Sequence, residues 1–162
     1  MLSLDQDQFG IDQLNLGLLI LRLVLGLFLA YHGYNKVFGK GGLSGTASWF
    51  ASMGMKWPKW QARAAAATEI GAGVMLAVGL LTPLAAAGVI GVMVVAIYTS
   101  HLKATIALGA LAVGTMGPGE WSLDNAIDFS MSGWSALVVT IALGVGGAVV
   151  QLATSYRPAK KS

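Results

Sequence analysis

Long apolar runs dominate this chain and leave it few environments other than a bilayer. They cover residues 14–31, 63–81, 84–100 and 134–153. Each is near the ~20 residues that a helix needs to cross a hydrocarbon core of roughly 30 Å. Of the 162 residues, 56% are hydrophobic and only 10% are charged, where ordinary soluble domains carry about a quarter. A soluble fold of this length could not hide so much apolar surface, whereas a bundle of spanning helices need not. The expected class is an all-α membrane protein of four to five transmembrane helices.

Two of these runs hold a charge: Arg22 in the first and Glu69 in the second. An ionisable group in hydrocarbon costs several kcal/mol, roughly, unless it meets a partner, water or a cavity. Arg22, Gly26, Leu29, Gly33 and Lys36 recur at three- and four-residue steps and share one helix face. Ala65, Glu69, Gly73 and Leu76 do the same on the second run. Small residues let helix backbones approach closely. The two seams are therefore expected to pack together and join Arg22 to Glu69 as a buried ion pair. The competing expectation is separate accommodation, with Arg22 snorkelling and Glu69 protonated.

Residues 104–116 are apolar but short, covering only about 20 Å at ~1.5 Å per residue. Charge placement decides whether they count as a crossing. Lys36, Lys40, Lys56 and Lys59 lie in the connector 35–62, Lys103 follows the third run, and Arg157, Lys160 and Lys161 lie in the tail. Basic loops prefer the cytoplasm. Five crossings place every basic loop on one side; four do not. Five are therefore favoured, with the N-terminus out and the C-terminus in. The connector itself carries LSGTASWFASMGM, which reads as a short interfacial helix. Trp49, Trp57 and Trp60 suit one membrane surface, and Trp121 and Trp134 the other. The organisation is an acidic N-terminal segment 1–13, a transmembrane bundle 14–153 and a basic tail 154–162. Residues 1–13 hold three aspartates and no cation, so no cleavable signal peptide is expected. Gly117-Pro118-Gly119 is turn chemistry, and Ser122 with Asp124 is a local turn or capping pair.

Cysteine is absent, so the chain cannot itself run dithiol chemistry or hold an iron–sulfur cluster. No metal set and no nucleic-acid-binding run of basic residues is present. The segment from Gly39 lacks the spacing of a phosphate loop. His32 and His101 end spans that run in the same direction, and so reach one membrane face with Lys36. Two imidazoles suffice for a non-covalent haem b, and His32, Lys36 or His101 could donate to a quinone head group. The simpler alternative is a pair of interfacial polar residues. The intramembrane polar cluster is Arg22, His32, Lys36, Glu69 and His101.

These residues together resemble the DoxX family of small bacterial membrane proteins. The resemblance runs from Arg22 through His32-Gly33 and Lys36-Val37-Phe38-Gly39 to Phe50-Ala51-Ser52-Met53-Gly54. It continues with Glu69, Gly71, Gly73 and Gly79-Leu80-Leu81-Thr82, then His101, and closes on GPGEWSLDNA. It implies a helical inner-membrane protein, usually of four spans. It also implies a link to thiosulfate:quinone oxidoreduction as a small subunit, or to an assembly containing superoxide dismutase and a sulfurtransferase. The GPG–SLD motif generally follows the family's last span, but here the run 134–153 comes after it.

The expected function is a non-catalytic accessory or anchoring subunit of a membrane redox assembly in the bacterial inner membrane, without catalytic activity of its own. Its partners are the lipid bilayer and other membrane subunits, not nucleic acid. A quinone-interacting oxidoreductase subunit and a small proton-coupled transporter are the alternatives. No cofactor is expected under the first reading; quinone is the first alternative and haem b, held by His32 and His101, the second.

Overall fold

The computed structural model describes residues 2–100, 105–129 and 131–157. Among them the chain forms α1 (Leu2–Phe38), α2 (Gly42–Ser52), α3 (Pro58–Val78), α4 (Thr82–Ser100), α5 (Thr105–Met116), α6 (Leu123–Ala126) and α7 (Gly133–Ser155). There is no sheet among the described residues, only one isolated bridge between Met55 and Tyr156. The chain is an all-α membrane bundle.

Three helical segments are long and apolar enough to cross a membrane: Gly10–Phe38, Thr82–Thr99 and Gly133–Ser155, with the shorter apolar Ile106–Met116 beside them. The second expected run differs. α3 has 21 residues, about 31 Å of helix, but it is alanine-rich and carries Gln61, Arg63, Thr68 and Glu69. Gln61 and Glu69 find partners on neighbouring helices, in Gln151 and Lys36, while Arg63 is exposed and lies over the Trp60 ring of the same helix. α1 also exceeds its expected bounds. Its 37 residues extend about 55 Å, because the polar N-terminal residues contain no proline and the single Gly10 is not enough to end the helix. It stops where Gly41 and Gly42 take φ of 95° and 54°, a left-handed backbone that glycine adopts without steric cost.

Local chemistry sets the other boundaries. Pro58 opens α3, where its missing N–H is no loss. Gly79 (φ 68°) closes it, with Leu80 N–H donating to Met75 O at 2.8 Å, a Schellman-type ending. The turn Gly79–Leu81 then sends α4 back along α3. α1 and α3 are antiparallel and in backbone contact: a Cβ on Gly26 would lie 2.5 Å from the Gly73 carbonyl, and one on Gly33 would lie 2.9 Å from that of Ala66. α4 and α7 run parallel. Thr140 Oγ1 donates to Pro83 O at 3.1 Å, Gly144 faces Ala87 and Ile90, and the Tyr98 and Tyr156 rings meet edge-on at 5.4 Å.

α5 returns between them, with Gly114 against Ala86 and Thr140. α1, α3, α4, α5 and α7 therefore pass up and down in alternation. α2 and both ends of the Met55–Tyr156 bridge lie at one face. The segment 117–129 lies at the other with Asn15 and the start of α7. The connector and the α7 C-terminus share a face, as five passes require. α5 has only 12 residues, about 18 Å of helix. The connector helix forms as expected, with Ala47 and Phe50 buried against the bundle and Trp49 turned outward. The main core centres on Leu29, Leu76, Val89, Ile90, Met93 and Val113.

Candidate functional site: two polar centres in the bundle

The buried face of α1 runs Asn15, Leu18, Arg22, Gly26, Leu29, Gly33, continuing to the partly exposed Lys36. This is the three- and four-residue stripe expected from the sequence, extended two steps beyond Arg22, to Leu18 and Asn15. Its charges do not pair as expected. Glu69 forms its ion pair with Lys36, and no ion pair joins it to Arg22 among the described residues. The reason is helix register. Gly26 packs on Gly73, which sets Arg22 and Glu69 out of step by about eight residues, roughly 12 Å. The expected polar column is thus two separate centres near opposite ends of the bundle.

The first centre holds Lys36, Glu69 and His32. Glu69 is 1% exposed and Lys36 15%. Glu69 Oε1 accepts from Lys36 Nζ, while its Oε2 is buried without a hydrogen-bond partner. His32 is exposed and stacks on Phe28 at 6.2 Å. His101, the other histidine of the expected cluster, lies outside the described residues.

All three described residues line a cavity of about 580 Å³. α3 and α7 flank α4, and the cavity is the cleft between them, with α4 as its floor. Gly88, Gly91, Gly144, Gly147 and Ala148 line it; of these glycines, Gly147 faces open space, while a Cβ on Gly88, Gly91 or Gly144 would meet a packed helix. Trp49, Phe50 and Met55 from the α2 region close its end. Gln61 and Gln151 meet across it at 2.7 Å. The walls are mostly apolar, and the polar groups gather toward the α2 face. This volume falls within the usual range for small-molecule sites.

The second centre is built on Arg22, which is fully buried. Its Nη2 donates to the Trp121 carbonyl, and its Nη1 lies against the Gly79 backbone, where a Cβ would collide with it. Asp124 supplies the neighbouring negative charge. That carboxylate is also fully buried and accepts from Leu81 N–H and, at 2.8 Å, from Thr82 N–H. It thereby caps the start of α4, where the helix dipole favours an anion. Asn15 clamps the same loop, donating to Glu120 Oε2 at 3.1 Å and accepting from Glu120 N–H at 3.0 Å. Arg22 Nε and Nη1 and Thr82 Oγ1 have no partner in this region.

The sequence reading assigned Asp124 a local turn role with Ser122. Ser122 does cap α6, accepting from Asn125 N–H at 3.2 Å, but Asp124 reaches across to α4 instead. Asn15, Gln61, Gln151 and Thr140 were also missed. Their signal was a polar side chain within or beside an apolar run. Among the described residues no group of three His, Cys, Asp or Glu could hold a metal ion.

The family profile for DoxX matches residues 17–102. The match covers α1 to α4 and ends before the loop that carries Glu120 and Asp124. No curated protein and no solved structure matches the chain significantly.

Proposed function

The chain belongs to the DoxX family, and from that premise we propose that it is an accessory subunit of a bacterial inner-membrane redox assembly that holds a lipophilic quinone. The observation that carries this reading is the cleft between α3 and α7, apolar along its length and polar at the Lys36–Glu69 end. Such a shape suits a molecule with an apolar tail and one compact polar head.

The residues fit a quinone in specific ways. Lys36 has donor capacity beyond its bond to Glu69, since an ammonium carries three N–H groups, and it would donate to a ring carbonyl. Gln61 and Gln151 offer further amide donors at the same end. The apolar residues of α4 and α7 along the cleft suit the tail, and Gly147 leaves room for it. When bound, the quinone supplies two-electron carrier chemistry that no side chain of this cysteine-free protein can supply. The protein's share is binding, orientation and exclusion of water. Haem b finds less support, because His32 is exposed and stacked on Phe28. Under the positive-inside reading, the α2 face and the cavity's polar end lie at the cytoplasmic side.

The test is purification of the full chain in mild detergent, followed by solvent extraction and identification of bound quinone. The expected result is quinone in the wild type and its loss in Lys36→Met, which removes the donor to the ring carbonyl. If no quinone co-purifies and added short-chain quinone fails to bind, this reading is wrong. Co-purification of a larger membrane oxidoreductase tests the accessory role.

A further inference from the structure

We infer that the cleft selects a ligand whose polar head carries a hydroxyl donor, so that it holds the hydroquinone in preference to the quinone. This rests on the quinone reading above and goes beyond it by assigning the redox form. The observation is the asymmetry of the Glu69 carboxylate. Oε1 is saturated by Lys36, while Oε2 is buried and accepts nothing.

A buried carboxylate oxygen without a donor is costly, and any partner that supplies one recovers that cost. No described side chain supplies it. Glu69 lines the cavity wall, and the terminal torsion of a glutamate is broad, so a small rotation turns Oε2 toward a bound head group. A hydroxyl there donates to Oε2 while its own oxygen accepts from Lys36. A quinone carbonyl can take only the second bond, and it sets its lone pairs against the carboxylate.

Sites built for a hydroxyl reject analogues that lack one much more strongly than apolar pockets reject an extra methylene. The other polar wall groups do not cancel the preference. Gln61 and Gln151 share one hydrogen bond, and their remaining N–H groups can donate to a quinone carbonyl or to a hydroxyl oxygen alike; His32 stacks on Phe28.

The experiment measures binding of three probes to the full chain in detergent: a short-chain hydroquinone, its quinone, and the dimethyl ether of the hydroquinone. The hydroquinone is expected to bind at least ~10-fold tighter than either of the others. That ratio raises the midpoint potential of the bound couple by about 30 mV, from the two-electron conversion. In Glu69→Gln the amide can donate as well as accept, and the three affinities are expected to converge within ~3-fold. The wild-type comparison needs no variant, so it stands even if Glu69→Gln does not fold. Equal binding of hydroquinone, quinone and ether in the wild type would overturn this inference and leave the quinone reading intact. Failure of all three to bind would overturn the quinone reading itself.

Discussion

Asp124→Asn is the most direct probe of how the second centre is held. In the native bundle, one carboxylate caps the start of α4 through Leu81 and Thr82 and faces the buried Arg22 guanidinium. The amide keeps a single acceptor, so one of the two backbone N–H groups loses its partner. It also leaves Arg22 with the Trp121 carbonyl alone. Breaking a buried ion pair costs about 3–5 kcal/mol in soluble proteins, an upper bound here because Asp124 acts on Arg22 through space without an ion-pair contact. Chains unfolded within a membrane find other partners, and measured values there are smaller. A net loss of about 2 kcal/mol is therefore expected.

The chain has no cysteine, so a single Leu18→Cys reports cleanly on the loop. Leu18 is buried, and Gly119 sits directly on it. Opening made easier by ~2 kcal/mol corresponds to labelling of that thiol about 30-fold faster, together with a lower Tm in detergent. Labelling within ~2-fold of the parent and an unchanged Tm would refute the role of Asp124 in holding this loop against the bundle. The double variant Arg22→Met with Asp124→Asn should cost less than the two single changes together, because it strands no charge.

Four other outcomes follow from the packing. Gly26→Leu drives a side chain into the Gly73 carbonyl and should destabilise the bundle by about 1–3 kcal/mol or more, as overpacking does. Gly17→Ala meets nothing within 4 Å and should be neutral or slightly stabilising by its helix propensity; thermal melts of the two variants give the comparison. Thr140→Val loses the bond to Pro83 and should cost about 0.6 kcal/mol, the average for interhelical bonds in a membrane, read from the unfolding midpoint in detergent. Cysteines placed singly at the exposed Ser48 and Asn125 should label from opposite sides of the membrane, the first from the cytoplasm, as impermeant maleimide on intact cells and inverted vesicles would show.

The buried stripe on α1 was legible in the sequence because a helix repeats every 3.6 residues and Arg22, Gly26, Leu29, Gly33 and Lys36 keep that step. The pairing of the stripes was not legible. Two small-residue seams can pack in several registers, and each register pairs different charges. The decisive contact is Gly26 on Gly73, one of several glycine and alanine matches the sequence permits. Once that contact is fixed, Lys36 falls beside Glu69 and Arg22 falls beside the Gly79 turn. The Arg22 partner was harder still to read, since Trp121 lies 99 residues away and offers only a backbone carbonyl. The expected class, the interfacial helix α2 and the alternating passes depended on hydropathy and charge counts, which do not need a register. The cavity depended on where the small residues of α4 and α7 ended up relative to α3, which does.

The two centres solve the same problem in opposite ways. Both hold a charge inside an apolar bundle, where an unpaired ion is excluded. Around Arg22 the chain packs a loop carbonyl, an aspartate and the start of a helix against a fully buried guanidinium, although its Nε and Nη1 stay unpartnered. Around Glu69 it brings one lysine and then stops, leaving an unpaired carboxylate oxygen beside 580 Å³ of space. If the Lys36–Glu69 pair were only a clasp, filling the cleft would be harmless. Gly147→Leu, whose added side chain starts in open space and narrows the cleft without touching either charge, would then leave quinone content and fold unchanged. If the cleft is a site, the same change should lower bound quinone several-fold while thermal stability holds or rises, because voids are destabilising in a packed interior. Loss of quinone together with a collapsed Tm would instead mean that Gly147 serves helix packing.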